Sequence, residues 1–158
     1  MEGFSLKGLF SRPAESRKVE RRRRERVQLS GEYTVLIVDD SKTVVHALKN
    51  VLEQAGFSTL TASGGEEAIK LTRQHKPDVV LMDVIMPGMT GFQATRVLHK
   101  DPATTEIPII IISASEQPSE KAWCKRLGAK GFLPKPIKRA QLFPCLEEVL
   151  NLYEAVQA

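Results

Sequence analysis

Cysteine is scarce in this chain, and long apolar runs are missing. Its 158 residues contain two cysteines, Cys124 and Cys145, with no CxxC pair and no Cys/His cluster. That argues against a disulfide framework or a structural zinc site and suits a reducing compartment. No stretch approaches the roughly 20 apolar residues that a membrane helix needs. Near the start, Phe4, Leu6, Leu9 and Phe10 are interrupted by Lys7 and followed by a basic run. A secretory signal has the opposite charge order and a longer apolar core. The expected location is the cytoplasm.

What is present suffices for a core. Hydrophobic residues make up 42% of the chain, which excludes wholesale disorder and fits one domain with room for an appendage. The formal charge of +4 is unevenly placed: residues 1–31 carry nine Lys or Arg against four acids, whereas from Glu32 onward there are fourteen against fifteen. The basicity therefore belongs to an N-terminal arm over 1–31, disordered or helical, ahead of a nearly neutral domain over 32–156. Ser16 to Arg26 has almost nothing to bury. It reads either as a solvated helix with Glu20 and Arg24 one turn apart, or as an electrostatic tether to nucleic acid, an anionic membrane or an acidic partner. Leu6, Leu9 and Phe10 would share one face of a helix ending before Pro13, leaving a docking peptide and a disordered tail as the alternatives.

From Tyr33 the pattern alternates. Val35 to Val38 is a short β-branched run, followed by a helix with Val44, Val45, Leu48, Val51 and Leu52 on one face and Gly56 as its C-terminal cap. A strand over Phe57 to Ala62 precedes a helix from Gly64 to about Lys76. Val79 to Asp83 is a continuous apolar strand that ends, unusually, in an acid. A third helix after Gly91 carries Phe92, Ala94, Val97 and Leu98. The strand Ile107 to Ile112 has Pro108 at its edge, a fourth helix spans Glu116 to Leu127, and Gly131 to Leu133 leads into Pro134-Lys135-Pro136. The last helix runs from about Lys138 to Tyr153. Five strand–helix alternations with apolar strands predict an α/β fold: a doubly wound, five-stranded parallel sheet between two helical layers, (βα)5 in the flavodoxin manner.

Ligands of open parallel sheets bind beyond the carboxyl ends of the strands. Asp39 and Asp40 end the first strand, Asp83 the third and Ser113 the fourth, while Lys135 follows the fifth. Each has an ordinary explanation alone: Asp40 or Ser41 as a helix cap, Ser113 as a turn residue, Lys135 as a solvated lysine. Together they form a crevice. Three carboxylates repel one another and call for a cation, and an all-oxygen set favours Mg2+. With Lys135 as counter-charge and Ser113 as hydroxyl donor, this is equipment for phosphoryl transfer, with Asp83 as the nucleophile.

The motifs Val38-Asp39-Asp40-Ser41, Leu81-Met82-Asp83-Val84-Ile85-Met86-Pro87-Gly88, Ile112-Ser113-Ala114 and Phe132-Leu133-Pro134-Lys135-Pro136 occur in the order found in receiver domains of two-component response regulators, the CheY type, which the chain resembles from about Tyr33 to Tyr153. The resemblance implies that Asp83 accepts a phosphoryl group from a histidine kinase. It implies that Asp40, Asp83 and the Ile85 backbone carbonyl bind Mg2+, that Asp39 completes the acidic pocket, and that Ser113 and Lys135 contact the phosphoryl group. Ser113 and Phe132 would be the switch, and the fourth helix, fifth strand and last helix the output face toward a protein effector. Phe132 stands where Tyr is frequent, and Ile85 where many relatives carry a polar residue, so Ile85 is expected to shield the acyl phosphate. With no further domain expected, the chain reads as a stand-alone receiver, not an enzyme beyond slow self-dephosphorylation. The Asp39-Asp40-Ser41-Lys42 run and the segment from Trp123 to Gly131 look similar to regulators of the chemotaxis-like twitching-motility pathway.

Three alternatives remain on the sequence. A phosphorylation-gated nucleic-acid binder would work through the arm. A haloacid-dehalogenase-type phosphatase would need an acid where Ile85 stands. A flavodoxin-like cofactor domain would not need acids gathered at one edge.

Overall fold

The computed structural model describes residues 33–157. The arm expected over 1–31, with its basic run and docking peptide, and the expected domain start at residue 32 lie outside the described residues. The elements are β1 (Thr34–Val38), α1 (Lys42–Gln54), β2 (Ser58–Ala62), α2 (Gly65–His75), β3 (Val79–Asp83), α3 (Gly91–Lys100), β4 (Ile109–Ser113), α4 (Pro118–Arg126), β5 (Gly131–Pro134) and α5 (Arg139–Gln157). All five strands are parallel, in the order β2-β1-β3-β4-β5.

Strand alternation distributes the core. Leu36, Val38, Val80, Met82, Ile109 and Ile111 face α2, α3 and α4, where Ala68, Ala94, Leu98 and Cys124 meet them. Val35, Ile37, Val79, Leu81, Ile110 and Ile112 face α1 and α5, against Leu48, Leu52, Leu142, Leu146 and Leu150. The three central strands β1, β3 and β4 are thus covered on both sides, which is why they read as unbroken apolar runs.

Helix ends follow local chemistry. Ser41 caps α1 by accepting from the Val44 amide, and Thr90 with Gln93 forms a capping box on α3. At the end of α1 the Phe57 amide donates to the Leu52 carbonyl and Gly56 to Glu53, with Gly56 at φ 96°. This is a Schellman closure, with Ala55 as the cap and Gly56 one residue beyond it. Several expected boundaries shift, the last helix running to Gln157 rather than to Tyr153. Phe57 precedes β2 because its amide closes this turn. Pro108 precedes β4 rather than edging it; its carbonyl accepts from the Val80 amide and starts the ladder. α4 starts at Pro118, which supplies the first helical position without needing a donor.

α5 holds Pro144 inside it. A proline there removes the donor for the Ala140 carbonyl; both residues are exposed, so solvent can serve it.

One glycine sets how closely a helix meets the sheet. Gly91 opens α3 with its amide donating to the Val84 carbonyl at 2.9 Å, and a Cβ on it would collide with the Asp83 carbonyl oxygen. Replacing it with alanine must push α3 off the end of β3. Gly91→Ala should lose about 2–3 kcal/mol of unfolding free energy in urea titration, the range for forced overpacking. An unchanged midpoint would show that the helix can shift freely.

Candidate functional site

The crevice follows from strand order. The chain leaves β1 to one side to form β2 and returns to the other side for β3, so the crossovers diverge and a gap opens at the carboxyl ends of β1 and β3. Asp39 directly follows β1, and Asp83 is the last residue of β3. Both are buried, at 5% and 4% exposure, whereas Asp40 is exposed.

Each buried carboxylate is anchored by backbone and then shared. Asp39 accepts from the Ser41 amide at 2.9 Å, and Asp83 from the Val84 amide at 3.0 Å. Lys135 Nζ stands between them, 2.8 Å from Asp83 Oδ1 and 3.3 Å from Asp39 Oδ2. The Lys135 amide donates to the Ser113 carbonyl, extending the β4–β5 ladder and aiming its side chain back across the sheet edge. Asp39, Asp40 and Asp83 each offer an oxygen within 4.8 Å of the others. Among the described residues they are the one group of three metal-ligating side chains that converge. The donors are all carboxylate oxygens, a set that fits a hard divalent cation such as Mg2+.

The charges leave their mark. Burial raises the Asp83 carboxyl above its ordinary range and the Asp39 charge adds to this, with the Lys135 hydrogen bond opposing. Burial pulls the Lys135 ammonium down, but its hydrogen bond to Asp83 and the two nearby carboxylates outweigh that and hold it above the ordinary lysine value. The lysine is thereby kept protonated and the acid cluster partly neutralised.

Of the residues expected at the site, Asp39, Asp40, Asp83 and Lys135 are brought together. Ser113 ends β4 on the same edge but turns elsewhere. It is 4% exposed, its hydroxyl donates to Glu120 Oε1 at 2.7 Å, and it accepts from the Ser115 amide at 3.1 Å. Glu120, in the first turn of α4, went unnoticed in the sequence because a glutamate near a helix start is ordinary there. Phe132 is half-buried against the α2–α4 core, with Lys121 Nζ 5.5 Å from its ring centroid. Ile85 is 79% exposed, between the buried Val84 and Met86. A pocket of about 320 Å³ beside Asp39 and Asp40 is walled by Lys42, His46 and Lys49. Their spacing along α1 is that of a single helix face, a signal the sequence carried.

Comparison with known proteins agrees with this layout. The response regulator receiver domain model matches residues 35–147. Protein PilH of Pseudomonas aeruginosa is 47% identical over 116 residues, 73% of this chain and 96% of PilH. The response regulator PleD of Caulobacter vibrioides is 37% identical over 109 residues, 69% of this chain but only 24% of PleD. The structure of the chemotaxis protein CheY4 of Vibrio cholerae superposes with a TM-score of 0.70 at 32% identity, covering 74% of this chain and 98% of that one. With its five parallel strands, the crevice at their carboxyl ends and a family match over most of its length, the chain belongs to the response regulator receiver domain family.

Proposed function

We propose that this chain is a phosphoacceptor that takes a phosphoryl group from a histidine kinase onto Asp83 and passes the signal to a protein effector. The observation that carries this reading is the Asp83–Lys135 pair at 2.8 Å, set among three acids at the strand crossover. A carboxylate oxygen of Asp83 attacks phosphorus as the bond from phosphorus to the donor's imidazole nitrogen breaks. The imidazole leaves with the electron pair. Water later attacks phosphorus, releasing inorganic phosphate and restoring the carboxylate. The protein is on this reading a substrate of signalling rather than an enzyme.

Mg2+ would be held by Asp40, Asp83 and the Ile85 carbonyl with Asp39 completing the pocket, and when bound it supplies positive charge where phosphate oxygens meet the acids. Lys135 is placed to follow the charge from the carboxylate to the phosphoryl group. Ser113, on the neighbouring strand, would give its hydroxyl to a phosphoryl oxygen only by leaving Glu120. Ile85, standing where a phosphatase of the aspartate-nucleophile type would need an acid, presents hydrocarbon to approaching water.

The output face is α4-β5-α5. A groove of about 460 Å³ there is lined by Lys121, Phe132, Gln141, Cys145 and Glu148 among others, and α4 exposes Trp123 at 49%. Exposed tryptophan is an enriched anchor in protein interfaces. The likeness to PilH, with the Asp39-Asp40-Ser41-Lys42 run and the Trp123–Gly131 segment, supports a place in a cytoplasmic, chemotaxis-like pathway governing type IV pilus twitching.

Incubation with Mg2+ and acetyl phosphate, followed by intact-mass measurement, should add one phosphoryl group to the wild type and none to Asp83→Asn. No gain in the wild type would overturn the reading.

Lifetime tests the role of Ile85: after donor removal, Ile85→Asn should lose its phosphoryl group several-fold faster. An unchanged rate would remove Ile85 from the account.

The raised Asp83 carboxyl has a sign that can be checked. A carboxyl whose pKa is higher when folded makes its ionised form cost stability at neutral pH, and the cost fades as pH falls through that raised value toward 3.8. In Mg2+-free buffer Asp83→Asn should therefore melt above the wild type at pH 7, with the gap closing in acid. Added Mg2+ should raise the wild-type melting temperature and move Asp83→Asn much less.

A further inference from the structure

Ser113 is fixed in every respect but one. It is the last residue of β4, in register with Pro134, and its carbonyl accepts from the Lys135 amide at 2.9 Å. Its backbone is therefore part of the sheet, and only its hydroxyl is free to turn. That hydroxyl has a single proton. Glu120 takes it at 2.7 Å, while the Ser115 amide occupies the oxygen at 3.1 Å. A serine so engaged cannot also donate to a phosphoryl oxygen on Asp83.

The residue after Glu120 holds the other switch position: Lys121 places its ammonium 5.5 Å from the Phe132 ring centroid. Two consecutive residues in the first turn of α4 thus bind one switch residue each. Their hold is polar and partly exposed, the kind that an added anion can displace.

We propose that Glu120 is a positioning residue that competes with the phosphoryl group for the Ser113 proton, and that losing this competition is what releases the first turn of α4. The inference rests on the phosphoacceptor reading. Once the proton turns toward a phosphoryl oxygen, the Glu120 carboxylate has lost its donor and faces a new anion nearby, so it moves outward. Lys121 is carried with it, and the Phe132 ring is uncovered on the output face. The cost of breaking the Ser113–Glu120 bond is subtracted from the affinity of Asp83 for its phosphoryl group, which sets how readily the unmodified state is left.

The test uses the full chain with Mg2+ and beryllofluoride, a stable mimic of an acyl phosphate, titrated while following the single tryptophan, Trp123. Removing the competitor should tighten binding: Glu120→Ala is expected to shift the midpoint about tenfold lower, the scale of one charge-assisted hydrogen bond. Glu120→Gln keeps the shape and a neutral acceptor and should fall between. On a Ser113→Ala background the same Glu120→Ala change should shrink below about twofold, because there is no proton left to contest. Equal midpoints for wild type and Glu120→Ala would overturn the proposal. So would a tenfold effect that persists without the Ser113 hydroxyl, which would make Glu120 a source of general repulsion only. A wild type that binds no beryllofluoride at all would instead bring down the phosphoacceptor reading, and this inference with it.

Discussion

Lys135 Nζ lies between two buried carboxylates, 2.8 Å from Asp83 and 3.3 Å from Asp39, and the crevice depends on that shared cation. Two acids less than one-tenth exposed repel each other and lose hydration. Without a cation between them one would have to be neutral or turn away. The lysine is in turn tied to its place by the backbone bond to Ser113. The charge balance of the site is therefore built into the edge of the sheet, through the bond that ties Lys135 to the end of β4.

The rigid and yielding parts divide along this line. Beneath the crevice the strands are fully buried between two helical layers, and Gly91 lets α3 abut the Asp83 carbonyl. Above it, the first turn of α4 is held by polar, partly exposed contacts: a hydroxyl to Glu120, an ammonium over Phe132. On the proposed reading, a charge added at Asp83 would meet these polar contacts at the first turn of α4 rather than the packed strands below.

Much of this was legible in the sequence. The alternation of β-branched runs with 3.6-periodic segments marked all five strands and all five helices, and the acids and the lysine marked the strand ends. The differences were at boundaries, where hydrogen bonds at Phe57 and Pro108 and the missing amide of Pro118 decide and composition does not. Ser113 was located on the correct edge but not in its contact, since a serine's rotamer depends on an acceptor seven residues on that only the β4–α4 turn brings back. The same holds for Lys121 and Phe132. Ile85 could be noted as unusual in type, though only the loop's path shows it pointing outward while its neighbours are buried.

The sequence by itself determined where strands end and which residues stand there, because those depend on local periodicity and on turn chemistry within a few residues. It did not determine that Asp39 and Lys135, 96 residues apart, would share a hydrogen bond. That required the strand order β2-β1-β3-β4-β5, which sets β1 beside β3, and a lysine after β5 whose long side chain reaches across the strand ends. The direction of the Ser113 proton was likewise left to tertiary structure, since a hydroxyl goes to the strongest acceptor within reach, and which acceptor is within reach is a property of packing.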